Sequence, residues 1–151
     1  MNIKIALSDI GLNSSNSVII GSGVLSALKL RESADIDVVV NQSEYERLAN
    51  TGQFSKSHSH GREILTDSLF EIGTSWGVLG EDQAFDDLQG NSTVIDDVRY
   101  ITIEFLLAVK KSWLNDDDVR QKDIDDVELI ETYLKEQNNG DRPEYYQALQ
   151  C

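Results

Sequence analysis

The run SVIIGSG at residues 17–23 and the run ADIDVVV at residues 34–40 decide the reading of this chain. Val18, Ile19 and Ile20 form an apolar β-branched stretch, the pattern of a short buried strand over Ser17–Ile20. It stops at Gly21-Ser22-Gly23, after which residues 24–30 take up helical spacing. In a strand, glycine turn, helix arrangement, glycine lets the backbone approach a bound phosphate, while Ser22 and the helix N-terminus offer donors to anionic oxygens. Twelve residues separate Ser22 from Asp35. Residues 34–40 read as a second strand, and period-two alternation puts Asp35, Asp37 and Val39 on one face. Two carboxylates on one strand face beside a phosphate-binding turn suit a divalent cation carried with a nucleotide, because magnesium prefers carboxylate and phosphate oxygens.

Working outward, residues 43–49 read as a short helix capped by Ser43 with Glu46 three residues on, and residues 51–61 as a polar loop. Residues 62–66 and 69–74 are strand-like and separated by Asp67-Ser68, the spacing of a two-residue hairpin. Glu71, inside the second of these, is the candidate third carboxylate, placed to bridge a metal or to deprotonate an attacking hydroxyl. Residues 77–93, rich in Gly, Asp and Gln, read as an irregular or partly helical crossover, and residues 98–102 as a brief strand. Two amphipathic helices follow, one over residues 103–113 and one from Asp118, with Gln121 completing a capping box, to about residue 136. The acidic turn at residues 116–118 fits helix capping and is assigned no ligand. The expected architecture is an α/β (α+β) unit over residues 1–137: a small mixed sheet flanked by helices, with two antiparallel C-terminal helices and a frayed tail over 138–151.

At about 100° per residue, Lys110 falls in the apolar stripe of Ile103, Leu106, Leu107 and Leu114, and Asp123 in that of Val119, Val127, Ile130 and Leu134. Charges so placed need a partner or a wet pocket. A buried Lys110 to Asp123 ion pair and a ligand site both explain them.

The 151 residues carry 13 Lys and Arg against 27 Asp and Glu, a net charge of -14, with 40% hydrophobic residues. That is enough apolar content for a core. Residues 1–80 hold 9 acids and 6 bases and residues 81–151 hold 18 and 7, so the second half is the acidic one. Such a surface disfavours stable binding of duplex nucleic acid. The apolar runs fall short of the ~18 residues a membrane helix needs, and no secretory leader opens the sequence, so a cytoplasmic protein with no membrane partner is expected. The one cysteine, Cys151, forms neither an internal disulfide nor a cysteine metal site.

Gly21-Ser22, the gap, and Asp35-Ile36-Asp37 with its hydrophobic flanks resemble the motif of the nucleotidyltransferase superfamily of polymerase-beta-like fold. More narrowly, Arg31-x-Ser33-x-Asp35-Ile36-Asp37, with Leu107-x-x-Lys110 and Lys122-Asp123-x-x-Asp126, resembles minimal nucleotidyltransferases related to antibiotic-modifying enzymes and abortive-infection toxins. The resemblance spans residues 17–134. It implies transfer of a nucleoside monophosphate from a nucleoside triphosphate to an acceptor hydroxyl on a small molecule, RNA or protein, with pyrophosphate leaving. By the same resemblance Asp35, Asp37 and Glu71 would hold magnesium or manganese. Gly21, Ser22, Arg31 and Lys110 would contact the nucleotide, and Asp123 would orient Lys110. Such enzymes often carry Asp where Glu71 stands. The chain offers no large acceptor-binding domain, which leaves room for a small-molecule acceptor, a homo-oligomer or a protein partner. A competing reading keeps the fold as an inactive nucleotide-binding or protein-interaction module.

Other signals are weaker. Gly21-x-Gly23 lacks the third glycine of a dinucleotide fingerprint, where Ser26 stands, and there is no Walker-type lysine. His58 and His60 would clamp a metal only from a strand, and a solvated pair is the simpler reading. Trp76 and Trp113 read as core, with Trp76 also placed to stack on a base.

Overall fold

Ser17–Ile20 (β1) and Ile36–Val40 (β2) lie at the middle of the molecule because little in them can face water: all of β1 is buried, and all of β2 but Asp37. Continuous apolar runs of this kind belong to strands covered on both faces. The computed structural model describes residues 2–138. Around the two central strands it places α1 (Ile3–Asp9), α2 (Gly23–Ala27), α3 (Gln42–Ala49), β3 (Ser55–Ser59), β4 (Arg62–Thr66), β5 (Phe70–Gly73), β6 (Ser75–Val78) and β7 (Glu81–Ala84). The chain continues through α4 (Phe85–Gln89), β8 (Ser92–Ile95), β9 (Val98–Ile101), α5 (Ile103–Trp113) and α6 (Gln121–Asn138). Seven strands form one sheet in the order β3-β4-β5-β2-β1-β9-β8, and β6 and β7 form a separate hairpin. β2 runs antiparallel to β1 and parallel to β5, and β9 runs parallel to β1, so the sheet is mixed. One apolar core joins Leu7 of α1, Leu25 of α2, Leu48 of α3, Leu106 of α5 and Ile130 of α6 to the strands. This is the mixed α+β architecture expected, with two C-terminal helices packed together.

Several local expectations are corrected. The helix expected over 24–30 ends at Ala27: Lys29 adopts a left-handed φ of 59° and the Leu30 N–H closes on the Leu25 carbonyl at 2.9 Å, a Schellman-type stop. β2 begins at Ile36, so Asp35 stands just before the strand. The α3 cap is Asn41, whose side chain accepts from the Glu44 N–H at 2.9 Å, and Ser43 instead donates to Asn41. The polar stretch 51–61 contains β3, an exposed edge strand paired with β4. The crossover 77–93 contains most of the β6-β7 hairpin and all of α4. α6 starts at Gln121, so residues 116–118 lie in the connection before it. The tail expected over 138–151 falls outside the described residues except for the backbone of Asn138.

The missed strands share a cause. His60-Gly61, Leu79-Gly80 and Asp96-Asp97 each join two paired strands, and every one of these six residues has positive φ, between 50° and 79°. That is the two-residue hairpin geometry matched to strand twist. Two of the three pairs present glycine second, without the Asn or Asp first that makes such a turn legible. The Asp67 turn, by contrast, is held by its side chain, which accepts from the N–H of Leu69 at 2.8 Å and of Phe70 at 2.6 Å.

Gly23 opens α2 against β1, and a Cβ there would lie 2.7 Å from the Ile19 Cγ2 methyl. Ile19 is fully buried and β-branched, so it has no room to move. Gly23→Ala is expected to cost about 1–3 kcal/mol of stability by overpacking, measured by urea unfolding; an unchanged midpoint would show that β1 and α2 are not locked together.

Candidate active site

The sheet order brings the predicted carboxylates together. Asp37 lies opposite Ile20 of β1 on one side and opposite Glu71 of β5 on the other, in register. Register partners in paired strands share a sheet face, so Asp37 and Glu71 project to the same side. Gly21 follows Ile20 with a left-handed φ of 68°, and a Cβ on it would sit 3.2 Å from Asp37 Oδ2. Any other residue would be strained there and would crowd the carboxylate. Asp35 is exposed and Asp37 half-buried.

The electrostatics record the crowding. Burial, followed by the charges of Glu71 and Asp35, pushes the Asp37 carboxyl up to about 6; Lys122 pulls the other way, and a hydrogen bond with Glu71 adds to the rise. Among the described residues no group of three or more His, Cys, Asp or Glu is closed into a metal-holding cluster. What the fold assembles is the Asp37 and Glu71 pair, with Asp35 near enough for its charge to be felt. An oxygen donor set with excess negative charge fits a hard divalent cation whose remaining ligands come from phosphate and water.

Ser22 and Ser33 bind the turn to the acidic strand. Their hydroxyls lie 2.9 Å apart, and Ser33, 5% exposed, donates to the Asp35 carbonyl at 2.7 Å. A hydroxyl has one proton, so Ser22 donates to Ser33 in this arrangement. Ser33 was quoted in the sequence motif without a role; its burial, which only the fold shows, is what marks it.

Arg31, Lys110 and Asp123 lie in a buried ionic network. Lys110, 3% exposed, reaches Asp123 at 3.0 Å and Asp126 at 2.9 Å, and its ammonium lies 5.5 Å from the Trp113 ring centroid. Arg31 forks onto Asp126 through two hydrogen bonds of 2.7 and 2.8 Å, and Arg120 pairs with Asp123 at 3.0 Å. Burial works to raise both aspartates, but the hydrogen bonds and charges of Arg31 and Lys110 on Asp126, and of Arg120 and Lys110 on Asp123, outweigh it and hold both below the usual carboxylate range. The buried ion pair is therefore present, and Asp126, 1% exposed, is its second anchor. Its position three residues after Asp123 was the available signal.

Two further features lie beside this region. Trp76 packs on Phe105 and Trp113 at ring separations of 6.4 and 6.3 Å. A cleft of about 570 Å³ between the β6-β7 hairpin and the end of α5 is lined by residues including Arg62, Asp82, Trp113 and Asp116, and contains none of Asp35, Asp37 or Glu71. His58 is exposed on β3, whereas His60 occupies the following turn, so the two do not alternate along a strand. No described helix is long and apolar enough to cross a membrane.

No protein-family model and no curated protein matches this sequence. Solved structures do. The antibiotic-resistance factor ANT(2'')-Ia, solved with adenylyl-2''-tobramycin, superposes with a TM-score of 0.56 at 18% identity, over 89% of this chain and 87% of its own. The Megavirus polyadenylate synthase gives 0.57 at 12% identity over 85% of this chain, which spans 29% of that enzyme. A Thermotoga maritima protein assigned as a nucleotidyltransferase gives 0.51 at 17% identity, over 89% and 91% of the two chains. At such identities the likeness is one of backbone architecture: this chain carries the nucleotidyltransferase fold.

Proposed function

We propose that the chain catalyses divalent-cation-dependent transfer of a nucleoside monophosphate from a nucleoside triphosphate to an acceptor hydroxyl. The observation that carries this reading is the in-register placement of Asp37 and Glu71 beside the Gly21 turn, with Asp35 adding a third negative charge. Asp35, Asp37 and Glu71 would hold magnesium or manganese. When bound, such an ion neutralises triphosphate charge and polarises the reacting phosphoryl group. Gly21 leaves the phosphates room to approach, and Ser22 meets them at the turn. The acceptor oxygen forms a bond to the α-phosphorus, the bond to the bridging oxygen breaks, and pyrophosphate carries away the electron pair. Glu71 receives the acceptor's proton. The Lys110 network fixes α5 and α6 around this face. The acidic second half favours an acceptor that is neutral or cationic over a duplex phosphate backbone.

The test is calorimetric titration of the four nucleoside triphosphates, with and without magnesium, into the wild type and Asp37→Asn. Binding that requires magnesium and is lost in the variant is the expected result. Transfer that persists in both Asp35→Asn and Asp37→Asn would overturn the reading.

A further inference from the structure

We infer that Lys122 is the cation presented to the phosphates of the nucleotide, and that Arg31 and Lys110 form the frame that places it. This rests on the metal-nucleotide reading of the Asp37 site and deepens it.

The argument begins with which cations have hydrogen-bonding capacity to spare. Arg31 spends Nε and one terminal nitrogen on Asp126 and another on the Glu32 carbonyl. Lys110 is buried, bound to two carboxylates and backed by the Trp113 ring. Arg120 is committed to Asp123 and Lys111 to Glu131. Four exposed lysines, Lys29, Lys56, Lys122 and Lys135, enter no side-chain hydrogen bond or ion pair among the described residues; Lys29 lies past the C-terminal end of α2, Lys56 on the edge strand β3 and Lys135 in the last turn of α6, which leaves Lys122 in the first turn of α6.

Position comes next. Lys122 lies in the first turn of α6, four residues before Asp126, so the two share a helix face. Asp126 uses that face to grip Arg31, which lies on the connection leading into Asp35 and Asp37. The grip holds the N-terminal turns of α6 against the connection that leads into β2, and the Lys122 charge is felt at Asp37. Helix stability does not account for a lysine here, because the helix dipole favours anions in the first turn. An ammonium whose charge reaches Asp37, with its donors unused, can bind the anionic oxygens of a triphosphate that arrives with its cation.

The experiment compares wild type, Lys122→Gln, Lys122→Arg and Asp37→Asn. In Lys122→Gln, magnesium-dependent binding of nucleoside triphosphate, measured by calorimetry, should weaken about 10- to 100-fold, the loss expected for a charged hydrogen bond. Lys122→Arg should restore most of it, and the thermal midpoint of both Lys122 variants should stay at the wild-type value. Unchanged nucleotide affinity in Lys122→Gln, with affinity lost in Asp37→Asn, would overturn the role of Lys122 and leave the site reading standing. A wild type that binds no nucleoside triphosphate would overturn the site reading and this role with it.

Discussion

Asp37→Asn is expected to melt higher than the wild type while losing nucleotidyl transfer. Folding buries Asp37 against Glu71 and Asp35 and raises its carboxyl from 3.8 to about 6. At neutral pH the wild type therefore keeps an anion ionised where the surroundings oppose it, a penalty of up to about 3 kcal/mol. The amide removes that charge and can still hydrogen-bond to Glu71. For a chain of this size the gain corresponds to up to roughly 10 °C in the melting temperature. The sign follows from proton counting: between about pH 4 and pH 6 the folded state holds a proton on Asp37 that the unfolded state has released, so wild-type stability falls as pH rises through this window. The advantage of the variant should be full above about pH 6 and vanish towards pH 4. Transfer should drop at least about 100-fold, in line with loss of a group that organises transition-state charge. Melting curves over a pH series decide the matter, and a variant less stable than wild type at pH 7 would show that Asp37 is not held against repulsion. Magnesium should raise the wild-type midpoint, since binding to the folded state alone stabilises it, and should leave that of the variant unchanged.

Lys110→Met carries the largest expected loss of stability. The substitution strips one partner from two buried carboxylates, Asp123 and Asp126, and breaking a buried pair from one side costs about 3–5 kcal/mol because the remaining charge stays buried. Arg31 and Arg120 keep a hold on those carboxylates, which places the result at the lower end of that range. Removing the second charge as well, in Lys110→Met with Asp123→Leu, should recover most of the loss: Arg120 is exposed enough to return to water, and Asp126 keeps Arg31. Urea unfolding of the single and double variants tests this. A single variant within about 0.5 kcal/mol of wild type, the range of ordinary surface substitutions, would mean that the network does not hold α5 to α6.

Much of the site was legible locally. β1 was readable because apolar β-branched residues follow one another without a break, and α5 because its apolar stripe is written in sequence, whereas Thr102, expected to end the strand before it, is its N-cap. Lys110 and Asp123 announced themselves by standing in apolar stripes, which left two explanations open until α5 and α6 were packed together. Asp126 and Ser33 were visible only as members of the motif, and their burial was not, because a polar residue's burial depends on what another element lays over it. β3 was illegible for a related reason: its residues face solvent, so it carries no apolar pattern and exists as a strand only because β4 pairs with it.

The sequence by itself determined which residues alternate, which periods they follow and which chemical groups lie within a few residues of one another, since these depend on backbone geometry over a single turn or strand. It placed Gly21 and Ser22 at a strand end and Asp37 on the following strand, with Asp35 at its start. Only the tertiary structure decided that β5 runs parallel to β2 with Glu71 opposite Asp37, and that the α2-β2 connection is tied to α6 through Arg31 and Asp126. Those outcomes depend on register and burial between segments up to 95 residues apart, where the free energy belongs to the assembled core and to charges that meet only inside it.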